Sequence, residues 1–518
     1  MKHCITVCLL ILFVYGCTGS KTDKDNDTNP DNGVDDTGTG ADPIDGSDSD
    51  TTTPSEEDTD SDTQEDDGSV TKQHIGDVVF NEDELRSYYI TISDSEYERL
   101  MDISTLVLPD FSVNKDRYVE VGLKVDDVEL PSVGMRFKGD WSIKSCAYRG
   151  VREIRIDPVF GNIDVCQRFS LKLDFDRYDE DGRLDGLKKL NLHAMAADPT
   201  KMHERLGYTL FREMDILAPR AVHAKVFING EYHGLFVAVE QVDGRFTANR
   251  FPENGDGNLY KEVWPAVDVT DAVISDALKT NDDEDIADIS DFVAFRNAVA
   301  TVEEADFADT MTSFIDFDYL TRYLVVDRAI HNFDGVLALY EEFASKNHNY
   351  YWYHEEDSNR FTLIPWDMDK VFMVPEPLFY NESSTSSELI LPCSPANVPN
   401  WNEVSNTCDS IICSFDELGL ISYPMIPPDC DPLLRLLRNE IYERQEGIAT
   451  KFIEGPFSED SINEKLDRWE QQIRDALEAD DKVDGAAVGE AISTLKDNIA
   501  VFQSDLLFVM SELIEERI

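Results

Sequence analysis

The sequence predicts an α+β protein of two lobes, a strand-rich lobe followed by a helix-rich lobe. Short apolar runs bounded by turn residues dominate residues 73–264, and longer segments with helical spacing of apolar residues dominate residues 265–518. The folded part is long enough for two lobes that share a cleft.

The first 17 residues have the layout of an export signal. A basic start precedes an apolar run over 5–14, and small residues lead to Cys17. The run is shorter than the ~20 apolar residues that a membrane-spanning helix needs. It resembles the bacterial lipobox, although Tyr15 departs from the residue usual there, and an ordinary cleaved signal is the alternative. We expect an exported protein held by a lipid on Cys17 at a membrane or cell surface, with the outer membrane as the expected place.

An acidic segment follows over residues 18–72, with 18 acidic and three basic residues. It has few apolar side chains to bury and its like charges repel, so we expect a disordered tether. The formal net charge of the whole chain is −59. Such acidity argues against nucleic acid as a partner, because nucleic-acid binding depends on basic contacts to phosphate. Solubility explains it more simply than acidic recognition does.

Six cysteines remain after the signal and Cys17 are set aside, and an even number in an exported chain predicts disulfide bonds. Four of them lie in the segment 390–432, where we expect them to staple a long loop. Zinc is the alternative there, but the segment has no C-x-x-C pair and no histidine. Cys146 and Cys166 are expected to pair across a hairpin. The sequence leaves the connectivity open.

Strand patterns dominate the first lobe and helical patterns the second. Strands are predicted at 86–92, 118–125, 133–138, 151–156 and 168–175. Asp198 and Pro199 predict the start of a helix over 199–214, and Asn229-Gly230 predicts a hairpin between 224–228 and 232–240. Later helices are predicted at 289–302, 319–331, 461–477 and 486–516.

Polar residues gather at the ends of elements in the second lobe. Asp334 closes an apolar helix, Asn349 opens a strand, and Asp367 follows the next strand. These side chains suit a magnesium site, because the ion takes oxygen ligands and leaves room for phosphates. The alternative is that Asp334 ends a helix and Asp367 occupies a turn.

At these residues the chain resembles the spore coat protein H (CotH) kinase family. The resemblance runs from about residue 135 to 371 and rests on many short blocks in the family's order. The blocks are MRFKG (135–139), SLKLDF (170–175), LKKLNL (187–192), DPTKMHERL (198–206), VFINGEYHGLF (226–236), EQVD (240–243), GNLYK (257–261), HNYY (348–351) and IPWD (364–367).

This resemblance implies an atypical protein-kinase fold that binds ATP and Mg²⁺ or Mn²⁺ between the lobes. In a kinase, a strand lysine holds the phosphates and is itself held by a helix glutamate. We expect Lys172 and Glu204 to form that pair, and Arg136 and Lys138 on the preceding strand to approach phosphate as well. The alternative is a strand lysine that faces outward and an ordinary acid on a helix surface.

The family pattern also implies roles in the second lobe. Asp334 is expected to position the hydroxyl nucleophile and Asp367 to be the main metal ligand, with Asn349 as a further ligand. Asp369 either shares the metal or faces solvent. Phe361 is expected to stack on adenine, and a buried core aromatic is the alternative.

The spacing of the second lobe departs from the pattern at one point. Asn349 follows Asp334 by fifteen residues, which is longer than the family resemblance implies. This puts the role of Asn349 in doubt and leaves Asn332 or Asn347 as substitutes.

Two functions follow from these expectations. The first is an exported protein kinase that transfers the γ-phosphoryl group of ATP to serine or threonine of surface or secreted proteins. The alternative is a catalytically silent CotH-like surface binding or adhesion module. The joint presence of Lys172, Glu204, Asp334 and Asp367 favours the kinase, while the scarcity of ATP outside the cytoplasm favours the module.

Overall fold

The computed structural model describes residues 74–102, 105–107, 113–139, 142–144, 146, 168–282, 287–340, 347–372, 391–392, 411–414, 422–426 and 428–515. The predicted export signal, the acidic tether and the strand expected at 151–156 lie outside these residues. So does most of the loop expected at 390–432.

The first half of the described chain consists mainly of strands. Its elements are β1 (Arg86–Thr91), α1 (Asp94–Met101), β2 (Val119–Val125), β3 (Val128–Lys138), β4 (Ser170–Asp174), β5 (Lys189–His193), α2 (His203–Glu213), β6 (Ala221–Ile228), β7 (Glu231–Glu240), α3 (Gly244–Arg250) and β8 (Leu259–Lys261).

The second half contains the longer helices and several short strands. The helices are α4 (Asp271–Ala277), α5 (Ser290–Thr301), α6 (Phe307–Met311), α7 (Phe317–Ala329), α8 (Pro432–Glu454), α9 (Glu459–Glu478) and α10 (Gly485–Glu515). The strands are β9 (Leu339–Tyr340), β10 (Tyr350–Glu355), β11 (Arg360–Pro365), β12 (Leu391–Pro392), β13 (Ile411–Ser414) and β14 (Ser422–Ile426). The predicted α+β class, with strands first and helices later, is confirmed.

Within the described residues, strands of the first half close into a barrel in the order β1-β2-β3-β4-β5-β7-β6. Neighbouring strands are antiparallel except β1 and β6, whose parallel pairing closes the barrel. Alternate residues of β2 point inward and are buried, which follows from the period of two along a strand. Closure pairs both sides of every strand and leaves no open sheet edge.

The hairpin between β6 and β7 forms where the sequence predicts it. Asn229 and Gly230 have φ values of 50° and 85°, as a type I′ turn requires at both central positions. The Asn229 side chain accepts a hydrogen bond from the Ile92 amide at 2.9 Å and donates one to the Ile92 carbonyl at 3.0 Å. The hairpin tip is thereby fixed to the end of β1.

Helix α2 begins at His203, four residues later than the predicted start at 199. The reason is the Asp198 carboxylate, which accepts hydrogen bonds from the His203 amide at 2.8 Å and from the Thr200 amide at 2.8 Å. These bonds hold residues 198–202 in a turn before the helix. Every residue from His203 to Phe211 is buried, so α2 is an internal helix.

Strand β7 lies between two hydrophobic cores. Phe236 and Ala238 belong to the core inside the barrel, and Leu235, Val237 and Val239 belong to a second core formed with the helices. Since successive side chains of a strand point to opposite faces, one strand covers both cores.

The second core also includes the last strand of the first half. β8 pairs with β10 rather than with the barrel, and its residues Leu259 and Tyr260 are buried in the second core. The described chain therefore leaves the barrel after β7, and the division between lobes expected at 264 stays a prediction.

Two further expectations concern the membrane and the cysteines. Across the described ranges, no helix is both long and apolar enough to cross a bilayer. Cys146 and Cys430 each belong to a disulfide bond. Because Cys166 lies outside the described residues, its pairing with Cys146 stays a prediction.

Candidate active site

A turn after β11 places Asp367 in a left-handed backbone conformation. Its φ is 56°, a value that residues other than glycine seldom adopt. The Asp367 amide donates to the hydroxyl of Tyr208 at 2.9 Å, and Tyr208 is buried on α2. Because unusual backbone conformations persist only where surrounding contacts enforce them, Tyr208 helps to fix the direction of Asp367.

Three side chains converge beside this turn. Glu204 on α2 is 3% exposed, and Nδ1 of His193 at the end of β5 lies 2.7 Å and 2.8 Å from its carboxylate oxygens. Ligand atoms of His193, Glu204 and Asp367 all lie within 4.8 Å of one another. A strand, a helix and a turn thus bring together side chains that can share one metal ion.

The electrostatics of this cluster show crowded carboxylates. Burial raises the pKa of Glu204 well above its usual value, and Asp367 raises it further, against the opposing effect of Lys138. Burial lowers the pKa of His193 well below its usual value, and the nearby Lys138 adds to this effect. His193 is therefore neutral at pH 7, and it supplies no positive charge to Glu204.

The donor set fits a divalent cation. Carboxylate oxygens are the ligands that Mg²⁺ and Mn²⁺ prefer, and an imidazole nitrogen is more typical of a first-row transition metal than of Mg²⁺. A cation between Glu204 and Asp367 would relieve the repulsion that raises the pKa of Glu204. His193, Glu204 and Asp367 are the residues that would hold it.

A cationic face of the barrel adjoins the cluster. Arg136 and Lys138 alternate along β3, and Arg136 lies opposite Lys172 of β4. Nζ of Lys138 contacts Nε2 of His193 and lies 5.0 Å from the centre of the Trp366 ring. Burial lowers the pKa of Lys138, while Asp367 and Glu204 oppose that shift. Lys138 is thus the lysine linked to Glu204, with His193 between them.

The expected ion pair between Lys172 and Glu204 is not formed. Nζ of Lys172 instead donates to the side chain of Gln241 at 2.8 Å. The strand register explains the difference, because Lys138 pairs with Ser170 whereas Lys172 pairs with Asn191 and lies further from the end of the sheet near α2. Burial and neighbouring cations lower the pKa of Lys172 to about 7.

Asp334 lies in the loop after α7, and both of its carboxylate oxygens have partners. The Tyr340 hydroxyl donates to Oδ1 at 2.9 Å, and Nζ of Lys370 donates to Oδ2 at 3.0 Å. Burial would raise the pKa of Asp334, but Lys370 and these hydrogen bonds outweigh it and hold the pKa below its usual value. Asp334 is therefore ionised at neutral pH.

Comparison with known proteins identifies a matching family. A family model described as CotH kinase protein matches residues 136–503, well over half of the 518 residues. The chain belongs to the CotH kinase family. Inner spore coat protein H of Bacillus subtilis (strain 168) is 27% identical over 227 residues, which are 40% of this chain and 58% of that protein. The resemblance found in the sequence is confirmed, although the chain spans less than two thirds of this relative.

Two other residues expected at a CotH site are not members of the three-residue cluster. The Asn349 amide donates to the Asp334 carbonyl at 3.0 Å, so its side chain supports the Asp334 loop. The Asp369 carbonyl oxygen lies 3.1 Å from Nδ1 of His203. Burial, followed by Asp367, raises the pKa of Asp369 well above its usual value, which places its carboxyl in the same negative environment.

Phe361 occupies an aromatic cluster of the second core. It is 3% exposed, stacks on Phe295 with ring centres 4.8 Å apart and lies 4.7 Å from the ring of His354. This packing favours the core-aromatic alternative over a face free to stack on adenine.

Four functional candidates in this CotH protein escaped sequence reasoning: His193, Tyr208, Tyr340 and Lys370. Three of them lie in or beside the blocks that carried the resemblance, but nothing in their spacing indicates that they meet. Lys370 follows Asp367 by three residues, and its proximity along the chain was the strongest signal available.

Proposed function

We propose that this CotH-family protein is an exported protein kinase that transfers the γ-phosphoryl group of ATP to serine or threonine of surface or secreted proteins. The observation that carries the proposal is the contact of Lys138 with His193 beside the Glu204–Asp367 pair. A kinase needs a cation for the phosphates next to carboxylates for a metal. Family membership supports kinase activity in general, and the acceptor class is our proposal.

Each side chain has a role in this proposal. His193, Glu204 and Asp367 hold Mg²⁺ or Mn²⁺, and the bound ion supplies neutralisation of phosphate charge. Lys138 binds phosphate oxygens, and the cationic face formed with Arg136 extends that contact along the strands. Such placed charges lower the barrier because they need no rearrangement when charge develops.

Asp334 orients the acceptor hydroxyl in the proposed reaction. Its lowered pKa keeps it ionised, so the carboxylate accepts a hydrogen bond from a serine or threonine hydroxyl. Tyr340 and Lys370 hold the carboxylate in one direction. Orientation of a nucleophile is a large part of the work in phosphoryl transfer.

The decisive experiment measures transfer of labelled phosphate. The protein, purified under oxidising conditions, is incubated with γ-labelled ATP and a mixture of serine- and threonine-containing acceptor proteins. We expect incorporation that requires Mg²⁺ or Mn²⁺, falls by about 10²-fold or more in Asp367→Ala, and stays unchanged in Asp309→Ala, a control at an exposed carboxylate. The proposal is contradicted if neither wild type nor Asp367→Ala incorporates phosphate and neither binds nucleotide.

The non-catalytic alternative draws on one observation. Both oxygens of Asp334 already have partners in Tyr340 and Lys370, so an acceptor hydroxyl would have to share the carboxylate. A surface module of this kind would show nucleotide binding without transfer, or neither.

Export and lipid attachment are part of the proposal and rest on the sequence of residues 1–17. Expression in a bacterial host with labelled palmitate tests them. We expect label in the wild-type chain and none in Cys17→Ala, and an unlabelled wild-type chain would remove the anchor from the proposal.

A further inference from the structure

We propose that Asp327 is a positioning residue that fixes the loop of Asp334, acting through Asn332. The inference rests on the proposed function, since it takes Asp334 as the residue that orients the acceptor hydroxyl.

A chain of hydrogen bonds leads from α7 to the Asp334 backbone. Asp327 lies in the last turn of α7 and is 1% exposed. Its Oδ1 accepts from the Asn332 amide at 2.7 Å, and its carbonyl accepts from the Asn332 backbone amide at 3.1 Å. Oδ1 of Asn332 in turn accepts from the Asp334 backbone amide at 3.4 Å. Asn332 therefore connects a buried helix carboxylate to the residue proposed to orient the hydroxyl.

Gly335 packs directly on this pair. A Cβ atom at position 335 would overlap the side-chain amide of Asn332 and lie 2.8 Å from Oδ1 of Asp327. The φ of Gly335 is not positive, so close packing, rather than backbone conformation, accounts for the glycine. The loop after Asp334 can thus close over Asp327 and Asn332 only with a residue that lacks a side chain.

The opposite end of the loop is held as well. Asn349 donates to the Asp334 carbonyl, while Asn332 receives the Asp334 amide. The backbone of Asp334 is therefore fixed from both sides. Its side-chain direction then depends on these two amides as much as on the residues that contact its carboxylate.

A carboxylate at position 327 is unfavourable for the fold alone. It is buried at the C-terminal end of a helix, where the helix dipole disfavours negative charge. Among the described residues, its Oδ2 has no hydrogen-bond partner. It borders a cavity of about 20 Å³ lined also by Arg328 and His331, large enough for one water molecule. Burial raises its pKa to about 7, against the Asn332 hydrogen bond and Arg328.

These unfavourable contributions indicate a role beyond stability. Ending the helix requires only an acceptor for the Asn332 amide, which a neutral side chain would supply without a buried charge. In its ionised form, the Asp327 carboxylate makes a shorter and stronger hydrogen bond to the Asn332 side-chain amide than a neutral acceptor would. Local rules of folding are most often broken at functional sites.

The first test separates positioning from folding by steady-state kinetics. We expect Asp327→Ala to lower kcat for phosphate transfer by about 10²-fold, the effect of a displacement near 1 Å, while KM for ATP changes less than about twofold because none of the residues proposed to bind phosphate belongs to this loop. Asp327→Asn keeps the shape and an acceptor for the Asn332 side-chain amide but removes the negative charge, so we expect a smaller loss of kcat than in Asp327→Ala. If kcat is unchanged in Asp327→Ala while Asp367→Ala transfers no phosphate, the positioning role of Asp327 is wrong and the kinase proposal is unaffected.

The matched control is Asp291→Ala. Asp291 is a largely buried helix carboxylate that accepts from the Tyr260 hydroxyl at 2.6 Å and from the Asn258 amide at 3.1 Å, and neither contact belongs to the proposed site. This variant should lose stability but keep kcat per folded molecule. Equal loss of kcat in Asp291→Ala and Asp327→Ala, at equal thermal stability, would mean that Asp327 is structural only.

A second measurement does not depend on activity. Hydrogen–deuterium exchange over residues 330–338 should be at least about tenfold faster in Asp327→Ala than in wild type, with α5 and β10 unchanged. If wild type transfers no phosphate, the kinase proposal fails, and faster exchange still supports Asp327 as the residue that fixes the loop. Identical exchange in variant and wild type overturns that role. If Asp327→Ala does not fold, Asp327→Asn serves in both measurements, with a smaller expected effect.

Discussion

Two buried glutamates, in two parts of this molecule, have different charged neighbours and opposite pKa shifts. Glu240 is 1% exposed and Glu204 is 3% exposed. Glu240 lies between two guanidinium groups, with Arg220 Nη2 at 2.7 Å from one oxygen and Arg250 Nη2 at 2.6 Å from the other. Burial alone would raise its pKa, but the two arginines outweigh burial and lower it to about 2.

Glu204 has no such partner among the described residues. Its carboxylate contacts neutral His193, and burial together with Asp367 raises its pKa well above the usual value. Glu240 is neutralised by the protein itself, as a structural ion pair must be. Glu204 is left for an external cation to neutralise, and groups with such perturbed pKa values concentrate at functional sites.

The largest expected effect that tests this contrast is on activity. Glu204→Gln should lower phosphate transfer by about 10²-fold or more, because it removes a charge that the proposed metal needs. Glu240→Gln should keep the rate per folded molecule. Rates from labelled ATP, corrected for the folded fraction, provide the measurement. Equal losses in both variants would mean that Glu204 is a structural residue like Glu240.

For stability the order reverses: Glu240→Gln should lose more than Glu204→Gln. Glu240→Gln leaves two guanidinium groups without their carboxylate and should reduce the free energy of unfolding by about 3 kcal/mol or more. In EDTA, Glu204→Gln should either increase the free energy of unfolding or lower it by less than about 1 kcal/mol, because the substitution removes a charge that Asp367 repels. Urea unfolding of wild type and both variants measures this. A larger loss in Glu204→Gln would contradict the distinction.

Metal binding should stabilise only the protein that retains the Glu204 cluster. Mg²⁺ or Mn²⁺ at about 100 times its dissociation constant adds about 2.7 kcal/mol to the free energy of unfolding. We expect this gain in wild type and Glu240→Gln, and none in Glu204→Gln. Thermal unfolding with and without the metal provides the readout, and a gain that persists in Glu204→Gln would place the cation elsewhere.

The smallest effect is the pH dependence of stability in EDTA. The folded pKa of Glu240 lies below its ordinary value of 4.5, so its contribution is complete above about pH 4.5 and is lost as the pH falls through about 2. The folded pKa of Glu204 is raised, so above about pH 4.5 the folded state binds more protons than the unfolded state. Its contribution therefore falls as pH rises, by at most about 1.4 kcal/mol per pH unit.

Unfolding curves between pH 4.5 and 7 separate these contributions. Wild type should lose more stability over this range than Glu204→Gln, whereas Glu240→Gln should follow the wild-type slope. Equal slopes for wild type and Glu204→Gln would show that Glu204 ionises normally in the folded protein.

The fold was predictable where local signals coincide with tertiary structure. The Asn229-Gly230 turn and the helix at α5 lie where the patterns indicate, because turn chemistry and periodicity act over a few residues. The start of α2 was misplaced because the Asp198 carboxylate forms a turn that delays the helix. Barrel closure depends on β1 pairing with β6, and no pattern along the chain reports a contact at that separation.

The site was predictable only in its residue types. Sequence blocks contained Glu204 and Asp367, the family pattern added Asp334, and the structure places Glu204 beside Asp367. The sequence placed Lys138 and Lys172 on predicted strands. Strand register decides which of them reaches α2, and register is fixed by pairing across the sheet. His193 was missed because its role depends on lying between Lys138 and Glu204, and these residues are far apart in the sequence.

Strand β7 has a consequence for how the protein unfolds. Alternate residues of this strand belong to the barrel core and to the helical core. If either core is lost, the apolar side chains on that face of β7 become exposed to solvent, even while the other core is still folded. Partial unfolding therefore removes support from both sides at once, and the folded unit should melt in one cooperative transition. Neither half should form a stable fragment by itself, so the folded unit would be either intact or accessible to proteases along its entire length.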